Sequence, residues 1–386
     1  MTYAQHRTLY DADSHIMELP NFLSDHVDPG MRERLPAIDF GANSNLQRNL
    51  KTFVDQGCAH TDDDIAKMLA MGDEVLRGPK GYDATGAFNG SERSKVLDLL
   101  GFKKQLVFAS VSEALVFSQK LDMDVRYAAA RAHNRAMKDF CTADARLMGV
   151  AAVSLDDPDL ALAELNTLLQ EGAGAVWVPH RHCGGRSPGH TAFDPFWARL
   201  QEAGIPFVVH IGGDGLQVDK AWMNNGRPLP KDWLGGGENV RGKDMTSVHH
   251  MAERFLSMMV LDGVFERFPR LKGASVELGA GWVPAMLDRL DWVVDIWSKS
   301  DEELRKLTRK PSQQFTEQFA FTPYVYEDIG RIISQSNADL YLFSSDYPHP
   351  EGGRNPIGRF ETSLEGLDAS AQSRFYAENF QRVFSV

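Results

Sequence analysis

Short apolar, β-branched runs alternate with longer amphipathic ones through most of this chain. That alternation sets the elements to expect. Apolar runs predict strands over residues 8–16, 106–111, 147–155, 173–179, 205–211, 271–278, 319–323 and 340–345. Helical spacing predicts helices over residues 121–143, 157–171, 195–203, 247–264, 283–298, 327–334, 356–364 and 370–383. In the first of these, Ala128, Ala132, Ala136 and Phe140 fall on one face. Asp156-Asp157-Pro158 is a helix start signal, and Gly204 is a stop.

About eight strands, most of them followed by a helix, give an α/β fold with parallel strands. Eight such units point to a closed (β/α)8 TIM barrel rather than an open sheet. Two stretches break the rhythm. A polar insert after strand one, residues 21–103, carries the acidic cluster Asp62-Asp63-Asp64 and the Gly-rich piece Gly78 to Gly90. It is too long for an ordinary loop and is expected to form helices of its own. A loop over 212–244, rich in Gly and Trp, reads as a lid with Trp222 and Trp233 as aromatic contacts, or as a packed loop sealing a subunit interface. No internal repeat is visible, so residues 1–386 are read as one domain.

Composition narrows the class. With 386 residues and 43% hydrophobic content, the chain can bury a large core without staples. The net charge of −12 argues against nucleic acid or an anionic membrane as main partners. Cys58, Cys141 and Cys183 show no CxxC spacing, so neither a zinc knuckle nor a disulfide framework is indicated. Scattered cysteines suit a reducing cytoplasm. The polar stretch Met1 to Tyr10 lacks a signal-peptide core, and no apolar run is long enough to span a bilayer. The expectation is a cytoplasmic protein, with no leader ahead of the fold.

The chemistry collects at strand ends. Asp13 and His15 close strand one, His180 follows strand four, and His210 ends strand five. Glu277 closes strand six and Asp346 follows strand eight. In a (β/α)8 barrel these ends converge on the face that carries active sites. Side chains two apart on a strand point the same way, so Asp13 and His15 can aim together. Taken alone, each, like the neighbouring Asp11, has a plain reading as a cap, a turn or a satisfied polar residue. Taken together, the two imidazoles and two carboxylates of Asp13, His15, His210 and Asp346 suit a divalent ion such as Zn²⁺ or Mn²⁺. Such an ion activates a water or acts as a Lewis acid toward a substrate oxygen.

Several motifs carry a family likeness. They are Asp11-Ala12-Asp13-Ser14-His15-Ile16-Met17-Glu18, Phe193-Asp194-Pro195-Phe196-Trp197 and Val209-His210-Ile211-Gly212. Further along come Gly263 to Pro269, Glu277 to Trp282, and Ser344-Ser345-Asp346-Tyr347-Pro348-His349. On these the chain resembles the amidohydrolase superfamily, in the branch of aminocarboxymuconate semialdehyde decarboxylase and the resorcylate-type decarboxylases. The likeness runs close to the full chain apart from residues 21–103. It implies one divalent metal held by Asp13, His15, His210 and Asp346. It also implies non-oxidative decarboxylation of a small aromatic or unsaturated acid, and a dimer or tetramer. One departure stands out. Those decarboxylases carry a catalytic His near the end of strand six, where this chain has Glu277.

Glu277 is an acid/base candidate if burial raises its pKa, and His250, in His250-Met251-Ala252-Glu253, is a substitute. The alternative reaction is hydrolysis of an amide, ester or lactone, with Asp346 taking a proton from an attacking water. A barrel that only binds a ligand is the third reading. His180, Arg181 and His349 are candidates for contacting substrate. Arg181 reads either as a bidentate carboxylate clamp or as a surface salt bridge. Glu18 reads as support for a ligand or as a helix-terminal charge. Gly212-Gly213-Asp214-Gly215 lacks the Lys-Ser/Thr of a phosphate loop.

Overall fold

The computed structural model describes residues 1–40, 45–212, 220–228 and 242–386. Seven parallel strands form one sheet in chain order. They are β1 (His15–Ile16), β2 (Gln105–Ala109), β3 (Leu147–Ala152), β4 (Ala175–Trp177), β5 (Phe207–His210), β6 (Gly273–Val276) and β7 (Phe319–Phe321). The fold is α/β, as the alternation predicted. The chain divides into two compact units. One holds Met1–Val150, Ile211–Val248 and Ser344–Ile357; the other holds Ala151–His210, His249–Phe343 and Gly358–Val386.

The strands are shorter than the apolar runs, and side-chain competition explains the two largest differences. The run over 8–16 yields only β1, with an isolated bridge from Asp11 to Gln105 ahead of it. The Asp11 carboxylate there accepts from Ser345 N (2.8 Å), Ser345 Oγ (2.6 Å) and Gln105 Nε2 (2.7 Å). The eighth expected strand, 340–345, is not a ladder. A 3-10 turn covers Ala338–Leu340, and only Tyr341 bridges to Phe321. In the first unit the following residues dock singly: Asp346 N donates to Asp13 O, and His15 N donates to Tyr347 O, both at 2.8 Å.

Helices follow the sequence signals closely. The first unit is built on Met123–Cys141, whose Ala128, Ala132, Ala136 and Phe140 are buried as their spacing required. Gly90 opens the helix Gly90–Leu100 against it; a Cβ there would meet Phe140 O at 2.2 Å, so only glycine permits that approach. Further helices cover Asn45–Asp55 and Asp62–Leu69. Asp62, Asp63 and Asp64 occupy the first turn of the latter, behind a Thr61–Asp64 capping box, where negative charge complements the helix dipole.

In the second unit, Asp157 caps Pro158–Glu171, and left-handed Gly204 stops Asp194–Ala203. The expected helix over 247–264 runs only His250–Leu261, because Gly263 at φ 72° separates it from Val264–Arg267. A five-residue π segment, Arg374–Glu378, interrupts the last expected helix. Phe207, Phe265, Phe315, Phe319 and Phe321 pack edge and tilted around Gly273. A Cβ on Gly273 would fall 2.5 Å from the Phe319 ring. Most of the loop expected over 212–244 lies outside the described residues, Trp233 included; Trp222 sits exposed in Lys220–Met223. Among the described residues no helix is long and apolar enough to cross a membrane.

One buried group makes the fold pH-sensitive. His133 is buried in Met123–Cys141, and burial pushes its pKa from 6.5 down to about 4, against the pull of its Asn134 contact. A depressed histidine binds fewer protons folded than unfolded. Its contribution is present above pH 6.5 and is lost as pH falls toward 4. The expected loss is on the order of 3 kcal/mol over that window. Urea unfolding at pH 7 and pH 4 should show a smaller loss for His133→Gln than for wild type; parallel losses would remove His133 as the cause.

Candidate metal centre

The first unit assembles four buried candidates: Asp13, His15, Asp346 and His349. His15 directs Nδ1 at the Ala109 carbonyl, 3.2 Å away. A carbonyl only accepts, so Nδ1 carries the proton and Nε2 offers its lone pair. That Nε2 lies 3.3 Å from Asp13 Oδ1 and 3.5 Å from Asp346 Oδ1. His349 is oriented by the same logic. Ser110 Oγ donates to Ile16 O at 2.8 Å and so accepts from His349 Nε2, also at 2.8 Å. This leaves His349 Nδ1 unprotonated, 3.3 Å from Asp346 Oδ1. Burial pushes the His349 imidazole toward its neutral form as well. The two rings stack with centroids 3.9 Å apart.

Two imidazole lone pairs thus face a carboxylate oxygen at 3.3–3.5 Å. Lone pairs aimed at an anion repel unless a cation lies among them. Neutral imidazole and carboxylate are also the donors that divalent transition ions accept. The set therefore fits a divalent metal. His15, Asp346 and His349 offer ligand atoms all within 4.8 Å of one another.

The surroundings hold this set in place. Glu18 accepts from three successive backbone amides, Ser110, Val111 and Ser112, at 2.9–3.1 Å. That fixes the turn carrying Ser110, and Ser110 fixes His349. Buried Arg93 donates to His15 O (2.5 Å), Gly86 O (2.8 Å) and Gln105 Oε1 (3.0 Å), clamping the backbone of β1. Asp11, which the sequence leaves as a turn or cap residue, is a buried tie instead. Burial, the largest influence, raises its carboxyl to about 7.

The second unit assembles His210 and Glu277. His210 Nε2 lies 3.3 Å from Glu277 Oε2, and its ring packs on Trp177 at 4.9 Å. Glu277 has left-handed backbone, φ 53°, as does Asp346 at φ 55°. Such strain persists only where neighbours over-determine it. At Glu277 they do: its N–H donates to Thr322 Oγ1 (2.9 Å), and its carbonyl accepts from Tyr324 OH (2.7 Å). His180 is buried with Nδ1 lacking a hydrogen-bond partner among the described residues. Burial first, then neighbouring His210 and Arg181, push it down to about 4.

Two expected roles change on inspection. Arg181 is neither a clamp open to substrate nor a surface pair. It is buried and bidentate on Asp156, at 2.6 and 2.8 Å. His250 is exposed in the first turn of its helix, its ring beside His249, which stacks on Trp282. One residue escaped sequence reasoning altogether. Lys80, in the Gly-rich stretch, has a buried Nζ with no hydrogen-bond partner among the described residues, lying 5.5 Å from the Tyr347 ring centroid. Burial lowers its pKa to about 8. A lone Lys between Pro79 and Gly81 carries no periodicity that could have marked it.

The Amidohydrolase family model matches residues 58–386, most of the chain. The chain is an enzyme of the amidohydrolase family. Its Asp13 and His15 lie ahead of the matched span. Similar to it is a gamma-resorcylate decarboxylase of Polaromonas sp. (strain JS666), 26% identical over 281 residues, covering 66% of this chain and 79% of that protein. Among solved structures, an amidohydrolase of Mycobacterium avium subsp. paratuberculosis K-10 superposes with TM-score 0.75 at 22% identity, covering 99% of this chain and 100% of that one. A 5-carboxyvanillate decarboxylase of Novosphingobium aromaticivorans, complexed with manganese and 4-hydroxy-3-methoxy-5-nitrobenzoic acid, superposes with TM-score 0.61 at 18% identity, covering 100% and 98%.

The Ser110–His349 contact yields a test. Ser110→Ala should weaken manganese binding by about 10- to 100-fold, since it frees the outer nitrogen of a candidate ligand. Calorimetric manganese titration reads this directly. Unchanged affinity would place His349 outside the metal's reach.

Proposed function

We propose that the chain is a metal-dependent carboxy-lyase that removes CO₂ from a small aromatic or unsaturated carboxylic acid. The observation that carries the reading is the buried cluster of Asp13, His15, Asp346 and His349, its two imidazole lone pairs turned inward, in a family whose matched curated relatives include gamma-resorcylate decarboxylases. We assign the ion to Asp13, His15, His210 and Asp346, with His349 at its edge. Manganese is the first choice because related structures contain it, and zinc is the second. Bound there, a divalent ion supplies Lewis-acid stabilisation of negative charge on substrate oxygens.

The proton work falls to Glu277. Its carboxyl would deliver a proton to the ring carbon that bears the carboxylate. The bond from that carbon to the carboxylate then breaks. Its electron pair restores the aromatic ring, and CO₂ departs. Glu277 regains its proton from solvent, so carboxylate plus proton becomes arene plus CO₂. His210, 3.3 Å from Glu277 Oε2, orients the carboxyl. The left-handed backbone at Glu277 aims it.

The finer reading of the fold is a (β/α)8 barrel over 1–386 with an insert at 21–103, in one domain. The second fold unit falls wholly, and the first partly, within the family match. Scattered cysteines and the acidic balance support a cytoplasmic enzyme with a small molecule as partner, and the resemblance supports a homo-oligomer.

Manganese-loaded protein given γ-resorcylate in D₂O should release CO₂ and place deuterium at the vacated ring carbon. Release of acid from an ester or amide without CO₂ would select the hydrolase instead. Glu277→Gln should lower kcat at least about 100-fold with metal content unchanged. His15→Ala and His210→Ala should each abolish metal retention in elemental analysis. Full retention in either would break the assigned ligand set.

A further inference from the structure

Lys80 stands apart from every role assigned so far. Its backbone is pinned to the segment that carries Asp346 and His349, because Gly81 N donates to Pro348 O at 3.0 Å. Its Nζ is buried and has no hydrogen-bond partner among the described residues. The ammonium lies beside the Tyr347 ring, within the electrostatic reach of Asp346, Glu351 and Arg354. Tyr347 is itself immobile, its hydroxyl donating to Thr85 O at 2.8 Å. A buried ammonium with three donors and no acceptor is costly, and structures retain one where an anion arrives to receive it.

Which anion follows from what surrounds the site. The other buried cation first suited to a carboxylate, Arg181, is spent on Asp156. Arg93 is spent on backbone carbonyls and Gln105. Among the described residues, Lys80 is therefore the buried cation still able to take a ligand beside Asp346.

We propose that Lys80 binds the carboxylate of the substrate, an aromatic carboxylic acid, beside the metal centre. This rests on the carboxy-lyase reading for the identity of the ligand. It also predicts how Lys80 acts. An ammonium on the carboxylate stabilises the bound acid, while CO₂ leaves neutral. The carboxylate keeps its charge while the ring carbon takes its proton, so the ammonium holds the bound acid and the protonation transition state alike, and its loss shows in KM and not in kcat.

The test uses full-length, manganese-loaded protein with γ-resorcylate and salicylate as acids, and resorcinol and phenol as the same rings without the carboxylate. Lys80→Gln should raise the calorimetric Kd and the KM for the acids by roughly 10- to 100-fold, the worth of a charged hydrogen bond. Resorcinol and phenol binding, manganese content and kcat should stay within about twofold. Lys80→Arg should recover most of the loss; a misfolded Gln variant would show instead as lost metal and lost phenol binding, and the Arg variant then decides the matter. Unchanged acid affinity in Lys80→Gln overturns the proposal. So does weakened manganese binding with acid affinity intact, which would make Lys80 a counter-ion to Asp346. So does a wild type that binds none of the acids. If wild type binds the acids through Lys80 yet releases no CO₂, the reaction assignment falls and the Lys80 assignment stands.

Discussion

The buried carboxylate of Asp11 is the interaction on which the first half of the site depends. It accepts from the backbone and hydroxyl of Ser345, 334 positions away. Through it the start of the chain and its last quarter share one hydrogen-bonded corner. Asp346 N on Asp13 O and His15 N on Tyr347 O extend the corner along both segments. Two candidate pairs distant in sequence, Asp13 with His15 and Asp346 with His349, meet because of that corner. A carboxyl raised to about 7 sits near its own titration point at neutral pH, and its three donors are what keep it anionic enough to hold.

Around the corner, polarity is organised by direction rather than by charge count. Each imidazole spends its protonated nitrogen on an outer acceptor, Ala109 O for His15 and Ser110 Oγ for His349. The inner nitrogens are thereby committed as lone pairs before any ion arrives. Glu18 contributes at one remove, by locking the turn of Ser110 through three amides. Preorganisation of this kind lowers the reorganisation cost of binding an ion.

Much of this could be read from the chain, for physical reasons. Apolar runs that end in Asp, His or Glu marked Asp13, His15, His210, Glu277 and Asp346, because a strand's pleat makes facing positions periodic. The pairing of partners could not be read. Arg181 looked available because nothing in sequence announces that Asp156, 25 positions earlier, will bind it. Asp11 looked like a turn residue because its partner is Ser345. Lys80 lies in a Gly-rich stretch where spacing carries no signal. The eighth strand was expected from its apolar run and is absent as a ladder, since its amides bond singly to scattered acceptors: Leu342 N to Phe321 O, Phe343 N to Phe375 O and Ser345 N to Asp11 Oδ1.

The left-handed backbone at Glu277 and Asp346 bears on how this protein can drift and be engineered. At φ 53° and 55° both positions would be more comfortable as glycine or asparagine. Substitutions chosen for thermal robustness would be drawn to these two positions first. They are also the ones proposed to hold the metal and to move the proton. Stability and activity are thus opposed at single residues, and an ancestor or variant that relaxed either strain would survive heat better as a protein while failing as a catalyst.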